Sequence, residues 1–304
     1  MRPHTQASVW TFLREETDSR LLRLAAKLWR KLLCREQWFL WLEIPAAGSI
    51  VPDQQRVKAI YPPSDRLWAD PFVRSTPDGH YLFVEELPFA TGKGHIAVLE
   101  VSHDGRLRSA RTVLERPYHL SYPFLFEWHG ALYMLPESGE NRTVELYRCT
   151  SFPDQWVPDR VLLSDIRSAD ATLIEYEGVW WMFMTQATQG QGLNEDLYLY
   201  RAETPLGPFE PHANNPVKSN ARGTRPAGAM FWHEGSLYRP TQDCSRVYGE
   251  AVVLQRVDEL SENSFRETEV ACIAPDQRSQ VRRMHTLNST TGLRVMDVLR
   301  WIAK

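Results

Sequence analysis

The chain has only four cysteines, Cys34, Cys149, Cys244 and Cys272, and none stands in a Cys-x-x-Cys pair. That argues against a zinc site of the usual ligand spacing and makes a reduced cytoplasmic protein the simplest reading. No uninterrupted apolar run reaches the ~18 residues that a membrane span needs. Residues 1–6 lead into polar sequence, so no cleavable leader is expected. Charge of one sign is also missing. A net charge of −3 gives no basis for a general nucleic-acid binder. The Gly-rich phosphate loop, the Gly-x-Ser-x-Gly elbow and the Asp-rich EF-hand loop do not occur, and no spacing points to a metal site.

Aromatic residues, by contrast, are plentiful: 11 Trp, 11 Tyr and 12 Phe in 304 residues. Such residues favour strands, and their faces also stack on sugar rings. A phrase recurs four times: Ala69-Asp70-Pro71-Phe72-Val73, Ser121-Tyr122-Pro123-Phe124-Leu125, Ala169-Asp170-Ala171-Thr172-Leu173 and Arg225-Pro226-Ala227-Gly228-Ala229. Each copy runs into a polar turn with a glycine (Gly79, Gly130, Gly178, Gly235) and then an aromatic-rich strand. A period near 50 residues with several strands per repeat predicts a β-propeller. Residues 285–298 echo the pattern without its tail, and strands at 38–42 or 57–61 are expected to complete that fifth unit. Joining the two chain ends in one blade leaves no free sheet edge. The predicted fold is therefore all-β, a five-bladed propeller over residues 37–304.

The first 36 residues are predicted to differ. Residues 1–16 read as loosely ordered. Over 17–36, Leu21, Leu22, Leu24, Ala25, Leu28, Trp29, Leu32 and Leu33 recur at helical spacing among Arg and Lys. This basic amphipathic helix is expected either to dock its apolar face on the propeller, or to contact an anionic membrane surface or a partner glycosyltransferase. The expected location is the cytoplasm, with the inner membrane face as the peripheral alternative.

The Asp-Pro starts, the Gly-turn strands and Glu203-Thr-Pro-Leu-Gly-Pro-Phe-Glu-Pro-His212 resemble the five-bladed propellers of glycoside hydrolase family 43. A closer resemblance is to the N-terminal domain of glucosamine inositolphosphorylceramide transferases and their bacterial homologues. It is carried by Trp68-Ala-Asp-Pro-Phe72, Phe83-Val-Glu-Glu86, His119-Leu-Ser-Tyr-Pro-Phe124, Met134-Leu-Pro-Glu-Ser138, Arg225-Pro-Ala-Gly228 and Gln242-Asp-Cys244, over about residues 37–290. The resemblance implies a place in surface polysaccharide or glycolipid assembly. It also implies that the glycosyltransferase domain following the plant propeller is not within these 304 residues.

Glycosidic-bond chemistry uses one carboxyl group as acid and another as base or nucleophile. Asp70 and Asp170 open the first and third inner strands. Glu86, Glu137 and Gln242 each stand seven residues after a turn glycine and are expected to cluster with them. His119, Tyr122, Arg225 and Asp243 lie close to the same strand ends, and Trp68 and Tyr122 are candidate sugar contacts. By the family 43 resemblance, Asp70 matches the general base. Tyr122 occupies the place of the supporting Asp, and the acid Glu has no clear counterpart, which leaves Glu137 or Glu86 to substitute. Hydrolysis, glycosyl transfer and binding without catalysis all remain open. No cofactor is expected to be required. The expected ligand is a glycan, a glycolipid or a nucleotide-sugar donor, with Arg225 as the cation for a phosphate leaving group.

Overall fold

The computed structural model describes residues 32–46, 48–187, 192–276 and 281–304. The predicted helix over 17–36 lies outside these up to residue 31. The strand that follows begins at Cys34, so the last three positions of that helix are extended instead. Two compact units emerge, one of residues 1–37 with 301–304 and one of Trp38–Arg300. In the first, the Lys304 amide donates to the Leu33 carbonyl at 2.9 Å.

The second unit is built on five antiparallel sheets. Strands β1 (Cys34–Glu43) and β2 (Lys58–Ile60) come first. Blade 1 follows as β3 (Arg66–Thr76), β4 (Gly79–Pro88), β5 (His95–Val101) and β6 (Leu107–Leu114). Blade 2 is β7 (Ser121–Trp128), β8 (Ala131–Ser138), β9 (Thr143–Ser151) and β10 (Gln155–Ser164). Blade 3 comprises β11 (Ser168–Tyr176), β12 (Val179–Gln186), β13 (Asp196–Ala202) and the short β14 (Glu210–Pro211) and β15 (Lys218–Ser219). Blade 4 comprises β16 (Arg222–Pro226), β17 (Phe231–His233), β18 (Ser236–Asp243), β19 (Ala251–Leu260) and β20 (Phe265–Ile273). Last come β21 (Met284–Thr290) and β22 (Leu293–Ala303), which join β1 and β2 in the order β2-β1-β22-β21. Both candidate closing strands are thus used, so blade 5 is stitched from the two ends of the chain. Its seam is pinned by a buried ion pair, Arg294 Nη1 to Glu43 Oε2 at 2.9 Å, and Arg294 also donates to the Ser49 carbonyl.

The apolar residues of facing blades form the core. Leu40, Leu42 and Val295 of blade 5 pack with Leu82, Val84 and Leu99 of blade 1. Leu135 and Leu146 of blade 2 pack with Leu173 and Met182 of blade 3. The ladder between the first two strands of blades 1–3 is interrupted at one place in each repeat, between Ala69 and Phe72, Ser121 and Phe124, and Ala169 and Thr172. There Asp70, Tyr122 and Asp170 take left-handed φ values of 50, 44 and 57°. Aspartate tolerates that region, whereas a bulky tyrosine pays for it in strain. A bulge of this kind re-aims side chains out of the ladder, and here it does so at the start of each inner strand.

The turns differ between repeats in one respect that matters for the site. His129-Gly130, Glu177-Gly178 and Glu234-Gly235 all have positive φ at both residues, the type I′ geometry that suits a two-residue hairpin. Blade 1 has Pro77-Asp78 in that place, and a proline ring locks φ near −65°. Its glycine therefore falls one position later, as the first residue of β4, paired with Thr76.

Candidate active site

The bulged starts of the inner strands bring three groups of side chains together. Around the seam of blades 1 and 5, Asp70 accepts a hydrogen bond from Thr286 Oγ1 (2.7 Å) and faces His285 Nε2 at 3.1 Å, both through Oδ1. On the other side of the ring, His285 Nδ1 lies 3.0 Å from Asp297 Oδ2, off the line of a hydrogen bond. Asp297 also accepts from the backbone amides of Asp70 (2.8 Å), His285 (3.2 Å) and Thr286 (2.9 Å). Burial opposes a charge on His285, but Asp297 and Asp70 outweigh it and hold the imidazole well above its usual range. Burial likewise opposes the Asp70 carboxylate, yet His285 and Thr286 keep it below the ordinary value. The three ligand-type atoms lie within 4.8 Å of one another. The imidazole is thus held between two carboxylates, which together favour its protonated form.

The second group spans blades 2, 3 and 4. Arg225 donates from Nε to Asp170 Oδ2 (2.5 Å) and from Nη2 to Asp170 Oδ1 (3.3 Å). The same Nη2 lies 3.4 Å from Glu137 Oε2, and Nη1 donates to Asn194 Oδ1 at 3.1 Å. Gln242 Nε2 adds a bond to Asp170 Oδ2 at 3.2 Å. Burial and the Asp170 charge beside it push Glu137 up to about 8, against the pull of Arg225. Burial raises Asp170 too, although Arg225 opposes it. With the guanidinium fork closed on Asp170, Glu137 is the less well paired carboxyl of the two. The Tyr248 ring lies over the guanidinium, 5.1 Å from ring centre to Cζ, and 5.3 Å from the His285 ring, so it links the two groups.

The third group joins β4 to the loop before β7. His119 Nε2 faces Glu85 Oε1 at 3.2 Å, and the Gly94 amide donates to Nδ1 at 3.0 Å. The ring proton therefore sits on Nε2, toward Glu85. Burial raises Glu85, and Glu85 in turn raises His119 against the effect of burial.

The sequence-expected residues divide on this geometry. Asp70, Glu137, Asp170, Arg225 and Gln242 are brought into direct or shared contact, and His119, paired with Glu85, lies within electrostatic reach of Glu137. Glu86 points the other way. It accepts from Trp68 Nε1 (2.8 Å) and Arg66 Nη1 (3.0 Å) and meets His95 Nε2 (3.0 Å), so both it and Trp68 belong to the body of blade 1. Tyr122 is fully buried, its hydroxyl bonded to Thr172 Oγ1 and to the Gly228 amide, both at 2.8 Å, and it offers no face to a ligand. Asp243 pairs with Arg222 and caps Ser245 instead of joining the cluster. Arg225 is committed to two carboxylates and an amide, which leaves no free fork for a phosphate.

Glu85, Asn194, Tyr248, His285 and Asp297 were not anticipated. Counting from the turn glycine missed Glu85 because Gly79 sits one place later than its counterparts. By strand register, Glu85 opposite Ala69 matches Glu137 opposite Ser121 and Thr185 opposite Ala169. His285 heads the fifth repeat and was legible as such. Asn194 and Tyr248 come from connecting loops, which carry no repeat signal. A cleft of about 490 Å³ on blade 3, lined in part by Arg201, Glu203, Thr204 and Glu210, contains none of these groups.

Comparison with known proteins agrees with the sequence resemblance. Residues 43–300 match the family described as glucosamine inositolphosphorylceramide transferase 1, N-terminal. The chain is 34% identical over 230 residues to glucosamine inositolphosphorylceramide transferase 1 of Oryza sativa subsp. japonica, covering 74% of this chain and 30% of that protein. To the Arabidopsis thaliana protein of the same name it is 35% identical over 206 residues, covering 66% and 27%. Among solved structures, a β-xylosidase superposes with a TM-score of 0.56 at 12% identity, covering 79% of this chain and 92% of that one. A family 117 glycoside hydrolase from Zobellia galactanivorans gives 0.54 at 13% identity, covering 86% and 90%. At such identities the structures speak for the five-bladed fold alone.

Proposed function

The chain belongs to the glucosamine inositolphosphorylceramide transferase 1 N-terminal family, and on that premise we propose that it makes or breaks glycosidic bonds in cell-surface polysaccharide or glycolipid assembly. The observation that carries the reading is the split between two buried carboxyl groups within electrostatic reach of each other, Glu137 raised to about 8 and Asp70 lowered. Environments that drive two such groups apart assign the acid and the base. In this reading Glu137 gives its proton to the leaving oxygen as the bond to the anomeric carbon breaks. Asp70 takes the proton of the incoming hydroxyl as the new bond forms. A water as the incoming group gives hydrolysis, and a sugar hydroxyl gives transfer. Among the described residues Asp70 Oδ2 accepts no hydrogen bond, so it is the oxygen available as base. The closed fork on Arg225 favours a glycan or glycolipid over a nucleotide sugar.

Turnover of aryl glycosides and glycolipids by the wild type, Asp70→Asn and Glu137→Gln tests the proposal. Loss of about 10²-fold or more in each folded variant is expected for acid–base groups. The chain spans about 30% of the length of the plant transferases it matches. A second reading, a glycan-binding propeller that serves a separate glycosyltransferase, is favoured by one observation: the fully buried Tyr122 fills the inner-strand position where blades 1 and 3 have an aspartate. Calorimetric binding of glycans with no turnover of any would select it.

A further inference from the structure

We propose that Asp297 is a positioning residue that acts through His285 to keep Asp70 ionised and to leave its Oδ2 as the proton-accepting oxygen. The inference rests on the reading of Asp70 as base. The geometry behind it is specific. Asp297 is fully buried, yet both of its oxygens are used. Oδ1 accepts the His285 and Thr286 amides and so fixes the start of β21. Oδ2 accepts the Asp70 amide and so fixes the left-handed residue of β3, while it also faces His285 Nδ1. One carboxylate thus holds the backbone of the base, the backbone of its neighbour and one side of the imidazole ring between them.

The groups around His285 define what its charge depends on. Asp70 comes from β3, Asp297 from β22 and the Tyr248 ring from the loop before β19, with the Trp38 ring of β1 at 4.2 Å. Glu85 and Cys244 act on it at longer range. Of these, Asp70 and Asp297 are the charges in contact. A cation between two carboxylates stabilises both as anions, which is the state a base needs. With Thr286 and His285 both on Oδ1, the remaining lone pairs of Asp70 sit on Oδ2.

Asp297→Asn removes the charge and, with its NH2 group in the place of Oδ2, also gives up the bond from the Asp70 amide. Its carbonyl oxygen still accepts the His285 and Thr286 amides. Facing a donor, Nδ1 gives up its proton, and the imidazole becomes neutral. The experiment is imidazole nitrogen NMR of the 304-residue chain between pH 5 and 9, wild type against Asp297→Asn. The expected result is a wild-type His285 protonated on both nitrogens through pH 8 and a variant that loses one proton within that range. A His285 that is neutral at pH 7 in the wild type, or that keeps both protons in the variant, overturns the inference, and the wild-type measurement stands even if the variant does not fold. Where a glycoside is turned over, the variant lowers kcat by about 10²-fold with KM unchanged and moves the acid limb of the pH profile upward. An unchanged kcat overturns it. Absence of any wild-type turnover would count against the function proposed above, whereas the NMR result alone decides whether Asp297 sets the charge of His285.

Discussion

Glu137 and Asp170 stand on neighbouring blades and share one guanidinium: Arg225 closes its fork on Asp170 and leaves Glu137 a single contact at 3.4 Å. Two carboxyl groups with one cation between them cannot both ionise cheaply in a buried site. The less well paired one keeps its proton, and that proton is what makes the pocket a candidate for acid catalysis.

The first prediction follows from linkage. Glu137 is raised from 4.5 to about 8. Between those two pH values the folded chain holds a proton that the unfolded chain has released, so its contribution to stability falls as pH rises through the window. Glu137→Gln removes that dependence. Urea unfolding should show the variant gaining on the wild type from pH 5 to pH 8, with no such gain below pH 4.5. A difference that stays constant with pH would contradict the assignment.

Removing the shared cation should be costly. Arg225→Met leaves Asp170 and Glu137 buried without it, and breaking a buried pair in this way costs about 3–5 kcal/mol. Denaturant unfolding at pH 7 measures the loss. The double variant Arg225→Met/Asp170→Asn should recover part of it, because the unpaired charge is gone.

Tyr122 serves the architecture. Tyr122→Phe leaves the Gly228 amide without its acceptor, at about 1–3 kcal/mol for a group left buried and unsatisfied, while the Thr172 hydroxyl keeps its bond to the Asp170 carbonyl. The same position admits only glycine, because a Cβ at Gly228 would meet the Leu287 carbonyl at 2.1 Å. Thermal unfolding should show the loss, while Glu137 still titrates near 8 by carboxyl NMR. A large change in that midpoint would show that Tyr122 has an electrostatic role as well.

Glu85 and Glu86 should separate function from stability. Glu86→Gln weakens the contacts to Arg66 and His95 and should cost about 1.5–3 kcal/mol, as for hydrogen bonds to charged groups. Turnover per folded molecule should be unchanged. Glu85→Gln should instead alter turnover or ligand affinity through His119. The reverse pattern would mean that Glu86, not Glu85, faces the ligand.

This pair also marks the limit of what was legible in the sequence. The repeat gave the blade count, the closing blade and the inner-strand positions of Asp70 and Asp170, because each hairpin repeats the same turn chemistry. It misplaced Glu86 at the one turn where a proline forbids the shared geometry. Tyr122 read as a sugar contact because an aromatic at a strand start looks the same whether its hydroxyl faces solvent or crosses the axis to Gly228. Asp297 falls on a second strand opposite a bulge, where no other repeat has an acidic residue, and Tyr248 comes from a loop. Their roles depend on which strands meet at the seam, which periodicity alone does not tell.

The most direct test of the account is turnover at pH 7 on a panel of aryl glycosides and glycolipids, for the wild type, Asp70→Asn and Glu137→Gln side by side. The account predicts release or transfer of sugar by the wild type on at least one of them, and a loss of about 10²-fold or more in each variant while both remain folded. Turnover that survives both substitutions, or a wild type that binds these glycans and converts none, would contradict it.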